Sequence, residues 1–298
     1  MVVAPALHIG CATHVGPLSI FPVWTDAPMP SRAVRASLPR GVRIDELPDG
    51  PAVDTLRLCN PTGSTFLLPG GTLFDGGWQH RVLVRSVMVA ARSDLKLDVR
   101  CVEQGRWDGN DNQRLHRRRA PLAVRGALRG LRRTTPPDGT RADQGDVWTR
   151  VQRYERAHGS SPSASLVEVT NRLEGTLGEV VSAVGVLPGQ RGAIIGIGGH
   201  PVLLEVFDHP KTFEAQWEAI IGGVLADATL VRARRTPGHR ARSLAARISN
   251  RRLDPTPHTD TGADARDDLV AIDGLTVGPD RVVHLTALNV RHELVGAA

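Results

Sequence analysis

Aromatic side chains are scarce in this chain of 298 residues, at 4% with a single tyrosine, so any core it builds must be packed mainly by aliphatic groups. Lysine is almost absent, occurring only at Lys96 and Lys211, and arginine carries the positive charge by default. A preference for arginine over lysine therefore says little here about phosphate recognition. Cysteine is limited to Cys11, Cys59 and Cys101, an odd and widely spaced set without a CxxC pair, which argues against a disulfide framework, a zinc ribbon or a redox pair. No apolar run approaches the roughly 20 residues needed to cross a bilayer. The start, Met1-Val2-Val3-Ala4-Pro5, lacks the basic and apolar regions of a signal peptide, so a cytoplasmic protein without a membrane span is expected.

Motifs of common chemistry are also missing. There is no GxxxxGK[ST] loop and no GxSxG elbow, and Gly196-Ile197-Gly198-Gly199 runs into Pro201 and a second apolar run where a dinucleotide fold would open a helix. The 11 histidines show no HxH or HExxH spacing, so no metal site is expected, His80, Glu103 and Asp75 being the nearest approach to a ligand set. Nothing names a cofactor.

The formal charge of +6 is unevenly placed. Of 37 basic residues, 16 are arginines in two acid-free blocks, Gln113 to Arg133 and Ala228 to Leu253, which leaves 21 basic against 31 acidic residues elsewhere. Neither block is interleaved with aromatics for base stacking, so nucleic acid is a poor partner, and an acidic protein or the chain's own acidic remainder fits better.

The organisation predicts an α+β protein: a β-rich first half with antiparallel hairpins, then a helical and ββα second half. Residues 1–110 read as the β-rich region and 111–142 as an arginine-rich loop or linker with a short helix at Leu122 to Leu131. Residues 143–298 read as an α+β region that either packs with the first or stands apart. Strands are predicted at Leu18 to Trp24, Val42 to Leu47, Val53 to Cys59, Thr65 to Leu68, Arg81 to Ala90 and Leu95 to Glu103. Helices are predicted after Asp143 or Asp146, from Ser163 or Ser165 to Leu173, and after an Asp208 cap with Pro210 in its first turn. In that last helix Phe213, Trp217, Ile220, Ile221, Val224 and Leu225 repeat at helical spacing. Leu253 to Asp268 reads as a loop, and Leu269 to Ile272 and Arg281 to Leu288 as late strands.

One segment combines core sequence with unusual polar blocks. Gln79-His80-Arg81 precedes an apolar strand, and Cys101-Val102-Glu103-Gln104-Gly105-Arg106-Trp107 ends the next. A turn at Ala91 to Asp94 would place Arg81 near Glu103 and Leu83 near Cys101, and would gather both blocks at one mouth. Leu95, Leu97, Val99, Cys101 and Glu103 then share the core face. A carboxylate there either pairs with a cation or has its pKa raised, so Glu103 is the candidate catalytic carboxylate. Gln79, His80, Arg81, Gln104 and Arg106 are the candidate ligand-binding residues, with arginines suited to phosphate and Glu103 or glutamines to hydroxyl groups. The same residues also fit a buried structural pair, with Cys101 as an inert small hydrophobe.

Gly76-Gly77, Gln79, Arg81 and the VEQGRW run resemble a bacterial family named for its association with ADP-ribosylglycohydrolase and rhodanese-phosphatase proteins. Gln144 with Trp148, the Gly192 to Phe207 hairpin and the helix after it extend the resemblance over about Val53 to Asp227. Trp78 and His80 stand where that pattern has lysine and asparagine. The resemblance implies a place in NAD or ADP-ribose metabolism, and hence a nucleotide-like ligand such as ADP-ribose that is bound and processed. The alternative from the residues is a non-enzymatic module whose arginine-rich segments contact a partner protein or nucleic acid.

Overall fold

The protein, seen in a computed structural model, is described over residues 2–131, 143–256, 261–278 and 280–296. Along the chain run β1 (Val2–Val3), β2 (Leu7–Ile9), β3 (Thr13–Val15), β4 (Leu18–Thr25), β5 (Arg43–Asp45), β6 (Thr55–Asn60), β7 (Phe66–Leu68) and β8 (Thr72–Gly76). Then come β9 (Arg81–Leu83), β10 (Val87–Val89), β11 (Ser93–Cys101), β12 (Asn112–Arg119), α1 (Leu122–Leu128), α2 (Gln144–His158), α3 (Leu166–Asn171) and α4 (Glu174–Ala183). The hairpin β13 (Gly192–Ile197) and β14 (His200–Phe207) leads to α5 (Pro210–Ala228), α6 (Gly238–Ile248), β15 (Arg252–Pro255), β16 (Gly262–Arg266), β17 (Val270–Val277) and β18 (Arg281–Asn289).

These elements form a mixed, β-rich fold. Among the described residues, a ten-stranded sheet runs β1-β15-β16-β17-β18-β14-β13-β4-β2 with β3 beside β4, so strands from both ends of the chain share it. A closed barrel runs β11-β6-β5-β12-β8-β9, and β7 pairs with β10 in a separate ribbon. The barrel closes around Ile44, Leu56, Leu58, Phe74, Leu83, Leu97 and Val99. In β6 the period of two is explicit, with Leu56, Leu58 and Asn60 buried and their neighbours partly exposed. Each such aliphatic side chain contributes about 1.5–3 kcal/mol on burial. Few aromatics leave the sheet core to aliphatic residues, among them Ile194, Leu204, Ile272 and Leu285.

The helices follow their local signals. Asp143 accepts the Gly145 amide at 2.9 Å to start α2, which buries Val147, Val151 and Tyr154, and Ser165 caps α3. The α5 stripe is buried from Phe213 to Leu225, with Pro210 in the first turn. Its cap is not Asp208: the His209 ring accepts the Lys211 amide at 3.1 Å, while Asp208 binds Arg281 at 2.6 Å. A histidine ring nitrogen serves the same orphan donor that a carboxylate would.

Four sequence expectations change. The strand predicted over Arg81 to Ala90 is split, because β9 ends at Leu83 and β10 leaves to pair with β7. The β9–β11 register sets Arg81 opposite Cys101 and Leu83 opposite Val99, two residues from the predicted pairing, which keeps each side chain on its expected face. Residues 112–119 are a barrel strand where a loop or linker was predicted, while the short helix expected from Leu122 is present as α1; Arg132, Arg133 and Pro136-Pro137-Asp138-Gly139 lie outside the described residues. Leu253 to Asp268, predicted as a loop, supplies β15 and β16.

The first arginine block hid a strand because charge masks β12, two of whose cations point inward. Arg118, Arg119 and Arg125 are buried, and Arg119 and Arg125 reach Glu205 at 3.1 and 2.5 Å. Arg129 pairs with Asp264 and Asp273, and from the second block Arg247 and Arg251 pair with Asp267. The acidic remainder thus neutralises most described arginines of the first block and part of the second. No helix among the described residues is long and apolar enough to cross a membrane.

Candidate functional site at the barrel mouth

At one end of the barrel, β8 turns into β9 through Gly76 and Gly77. Gly77 has φ +58°, and a Cβ there would lie 1.9 Å from Gln113 Nε2, so both conformation and space demand glycine. The turn delivers Gln79, His80 and Arg81 to the rim. Past the end of β11, the Val102 amide donates to the His80 carbonyl at 3.0 Å, and this brings Glu103 and Arg106 to the same place. The predicted convergence of the two polar blocks is therefore present, although Arg81 faces Cys101 and does not contact the Glu103 carboxylate.

Glu103 is 2% exposed and its carboxylate is filled by protein donors. One oxygen accepts Arg106 Nε at 3.1 Å and Ser163 Oγ at 2.6 Å; the other accepts Arg106 Nη2 at 2.7 Å and the His80 amide at 2.9 Å. Burial alone would raise its pKa, but the Arg106, Ser163 and His80 bonds outweigh it and hold the carboxyl below its ordinary value. Arg106 uses its remaining donors on the Gly76, Gly77 and Asp108 carbonyls. The pair is a fully bonded brace across the rim. Around it, Gln79 Nε2 donates to the Glu103 carbonyl at 2.9 Å. The His80 ring meets Ser165 Oγ at 2.8 Å and Asp75 at 3.1 Å, and burial lowers its pKa, so the neutral ring fits both contacts. Gln104 does not join the cluster: it is exposed and accepts from Gln152 at 3.3 Å.

Cys101 is buried with its thiol donating to the Glu103 carbonyl, and burial pushes the thiol pKa up, which is the profile of a structural cysteine. Gln144 explains its own part in the resemblance. Its side-chain amide accepts the Cys101 N–H at 2.9 Å and donates to the Cys101 carbonyl at 2.8 Å, like an added strand at the end of β11.

Two residues not singled out from the sequence complete the site. Glu46, 4% exposed just past β5, and Gln113, on β12, point into the mouth beneath Arg81. Glu46 Oε1 accepts the Trp78 amide at 3.2 Å and Gln113 Nε2 at 3.3 Å. Burial raises the Glu46 pKa, and the nearby Arg81 charge offsets this only in part. Glu46 Oε2, Gln113 Oε1 and Arg81 Nε are buried without a hydrogen-bond partner. Two acceptors and one donor thus face this small region unsatisfied, whereas buried polar atoms are normally paired. Strand parity held the signal, since Glu46 follows inward-facing Ile44 by two residues.

The outer lip is aromatic. Trp107 is 44% exposed, meets Trp78 edge-to-face at 5.9 Å and covers the Arg81 guanidinium at 5.6 Å. Exposed Arg114 stands opposite Asp75 across the β12–β8 ladder. Among the described residues no group of three or more His, Cys, Asp or Glu is arranged to hold a metal ion.

These rim residues carry the resemblance noted in the sequence, and a family model described as the ARG and Rhodanese-Phosphatase-superfamily-associated Protein domain, ARPP-1, matches residues 6–288. The chain belongs to this family. The match extends beyond the Val53 to Asp227 span of the motifs and takes in β2 to β4 and β15 to β18 of the large sheet. No curated protein and no solved structure matches the chain.

Proposed function

We propose that the protein binds a nucleotide of the ADP-ribose class at the barrel mouth. The observation that carries this reading is the cluster of unpartnered buried atoms, Glu46 Oε2, Gln113 Oε1 and Arg81 Nε. Ribose hydroxyls donate to the first two and accept from the third. Trp107 and Trp78 offer a face for the base, a contact worth about 1–3 kcal/mol. The Glu103–Arg106 brace has no donor left for a diphosphate, so phosphate contact falls to exposed Arg114. The family's association with ADP-ribosylglycohydrolase points to the same ligand class.

If the ligand is processed, Glu46 is better suited than Glu103 to exchange a proton, because its pKa is raised and one oxygen is free. Glu103 then acts as the ionised anchor of the rim. Calorimetry and tryptophan fluorescence with ADP-ribose, AMP and ribose 5-phosphate test the reading. ADP-ribose should release heat and change the emission, and Glu46→Gln should weaken binding roughly 10–100-fold through loss of a charge-assisted bond. Exposed Arg232, Arg234, Arg235 and Arg242 favour the second reading, an interaction module for an acidic partner. Silence with all three nucleotides, alongside salt-dependent binding of an acidic polypeptide, would select that module.

A further inference from the structure

The turn between β13 and β14 carries a group of cations that lacks a counter-charge. Gly199 has φ +89°, and a Cβ there would lie 3.0 Å from Arg234 Cδ, so the missing side chain lets Arg234 lie across the turn. From the first turn of α6, Arg240 Nη1 donates to the Gly199 carbonyl at 2.8 Å and comes within 3.2 Å of His200 Nε2. His200 is exposed at the start of β14 and meets His292, past the end of β18, edge-to-face at 6.2 Å. Partial burial lowers the His200 pKa, and the Arg240 and Arg234 charges lower it further. Like charges are thus held together at one spot.

Nothing on the protein neutralises them. No acidic residue occurs from Ala228 to Leu253, and the first turn of α6 has none. Among the described residues Arg232, Arg234, Arg235, Arg240 and Arg242 form no ion pair, whereas Arg247 and Arg251, farther along the same helix, both bind Asp267. Arg240 spends only Nη1 on the turn, which leaves Nε and Nη2 as a forked edge without a partner among the described residues. Arg234 keeps its whole guanidinium exposed.

From this geometry we infer that Arg234, Arg240 and His200 form a binding site for a phosphate group, free or as a monoester, with Arg232, Arg235 and Arg242 as its cationic surround. The three donors arrive from a connector, a helix and a strand, which suits the several oxygens of a tetrahedral anion; one arginine fork alone would satisfy a planar carboxylate. A monoester also brings a charge of about −1.5 to −2, enough to offset more than one of the gathered cations. The segment Ala228 to Leu253 has no Phe, Trp or Tyr, so the phosphate is bound without a base stacked beside it. This site is independent of nucleotide binding at the barrel mouth, and it gives the arginines of the interaction-module reading a specific ligand group.

Histidine-selective NMR on the full chain tests it, with the His200 ring signals assigned through His200→Gln. Inorganic phosphate and a phosphoserine peptide should each shift those signals saturably and raise the His200 titration midpoint, because the anion offsets the Arg234 and Arg240 charges that face the ring; His292 should shift less. Sodium chloride at matched ionic strength and the unphosphorylated peptide should leave them in place. Arg234→Gln and Arg240→Gln should each weaken phosphate binding roughly 10-fold or more, while Arg247→Gln, whose charge is already paired with Asp267, should not. Arg234 makes no hydrogen bond among the described residues, so its variant keeps the test valid if Arg240→Gln disturbs the turn. A response to inorganic phosphate alone supports the site with a free small phosphate as its ligand, and a response to both probes supports it with a phosphorylated partner. Absence of a saturable shift at His200, or a shift as strong with poly-glutamate as with phosphate, overturns the inference. The second of these results would still leave the acidic-partner reading standing, and neither bears on ADP-ribose binding read at Trp107.

Discussion

Gln144 holds both the N–H and the carbonyl of Cys101, at 2.9 and 2.8 Å, from 43 residues away in sequence. A side chain at the first turn of α2 thus finishes the hydrogen bonding of a barrel strand where the ladder ends. Gln144→Ala leaves two backbone groups to find other partners and should destabilise the protein by about 1–3 kcal/mol. Urea unfolding gives the value, and hydrogen exchange at the Cys101 amide should show the opening directly.

Asp227 lies wholly inside the protein, accepting the Leu122 amide at 2.7 Å and the Tyr154 hydroxyl at 2.5 Å. Burial pushes its pKa up to about 7 despite these two bonds. The folded state therefore holds a proton that the unfolded chain has released between its ordinary value of 3.8 and about 7, so this residue makes stability fall as pH rises through that window. Urea midpoints of the native chain should drop relative to Asp227→Asn between pH 5 and pH 8. A constant difference between the two proteins would contradict this account.

Glu205 is the counter-charge for two buried arginines. Burial alone would raise its pKa, but Arg119, Arg125 and His284 together depress it well below the ordinary carboxylate value. Its contribution is thus present above the unfolded pKa and is lost as pH falls through the depressed one. Glu205→Ala removes the carboxylate that both buried guanidinium groups share, leaving them only neutral acceptors, and should cost about 3–5 kcal/mol at pH 7, measured by denaturant unfolding.

Trp107 separates binding from stability. Exposed and resting on Arg81, it contributes roughly 0.5–1 kcal/mol to the fold as a cation–π contact. Trp107→Ala should leave the melting temperature within a few degrees of the native value, yet weaken ADP-ribose roughly 5–150-fold by removing a stacking face. Calorimetry and thermal scans on the same sample read both quantities.

Much of the fold was legible where the signal is local. The β4, β6 and β11 strands and the α5 stripe declare themselves by period, and Asp143, Ser165 and Pro210 mark helix starts. What escaped depended on partners distant in sequence. Ser86 takes the Gly70 amide and His284, so the chain departs the β9–β11 ladder after Leu83, and nothing within the local hairpin pattern announces that departure. Arg118 and Arg119 read as part of an arginine-rich loop or linker because their partners, Glu174 and Glu205, lie far along the chain. At the mouth, Gln79, Arg81, Glu103 and Arg106 were gathered correctly by their blocks, while Glu46 and Gln113 arrive on strands with no polar block of their own. Ser86, Glu205 and His284 share no motif and meet only through topology.

The placement of β4 beside β13, and of β1 beside β15, has a consequence for synthesis. All six barrel strands lie between residues 43 and 119, so that unit can close while the ribosome is still adding the sheet's later members. Within the opening 25 residues β2 and β3 can pair with β4 at once, but β1 and the other edge of β4 must wait for β15 and β13, and over that interval they leave strand edges unpaired. A trigger-factor-like holdase acting on nascent chains should matter more to this protein's yield than its finished stability would suggest.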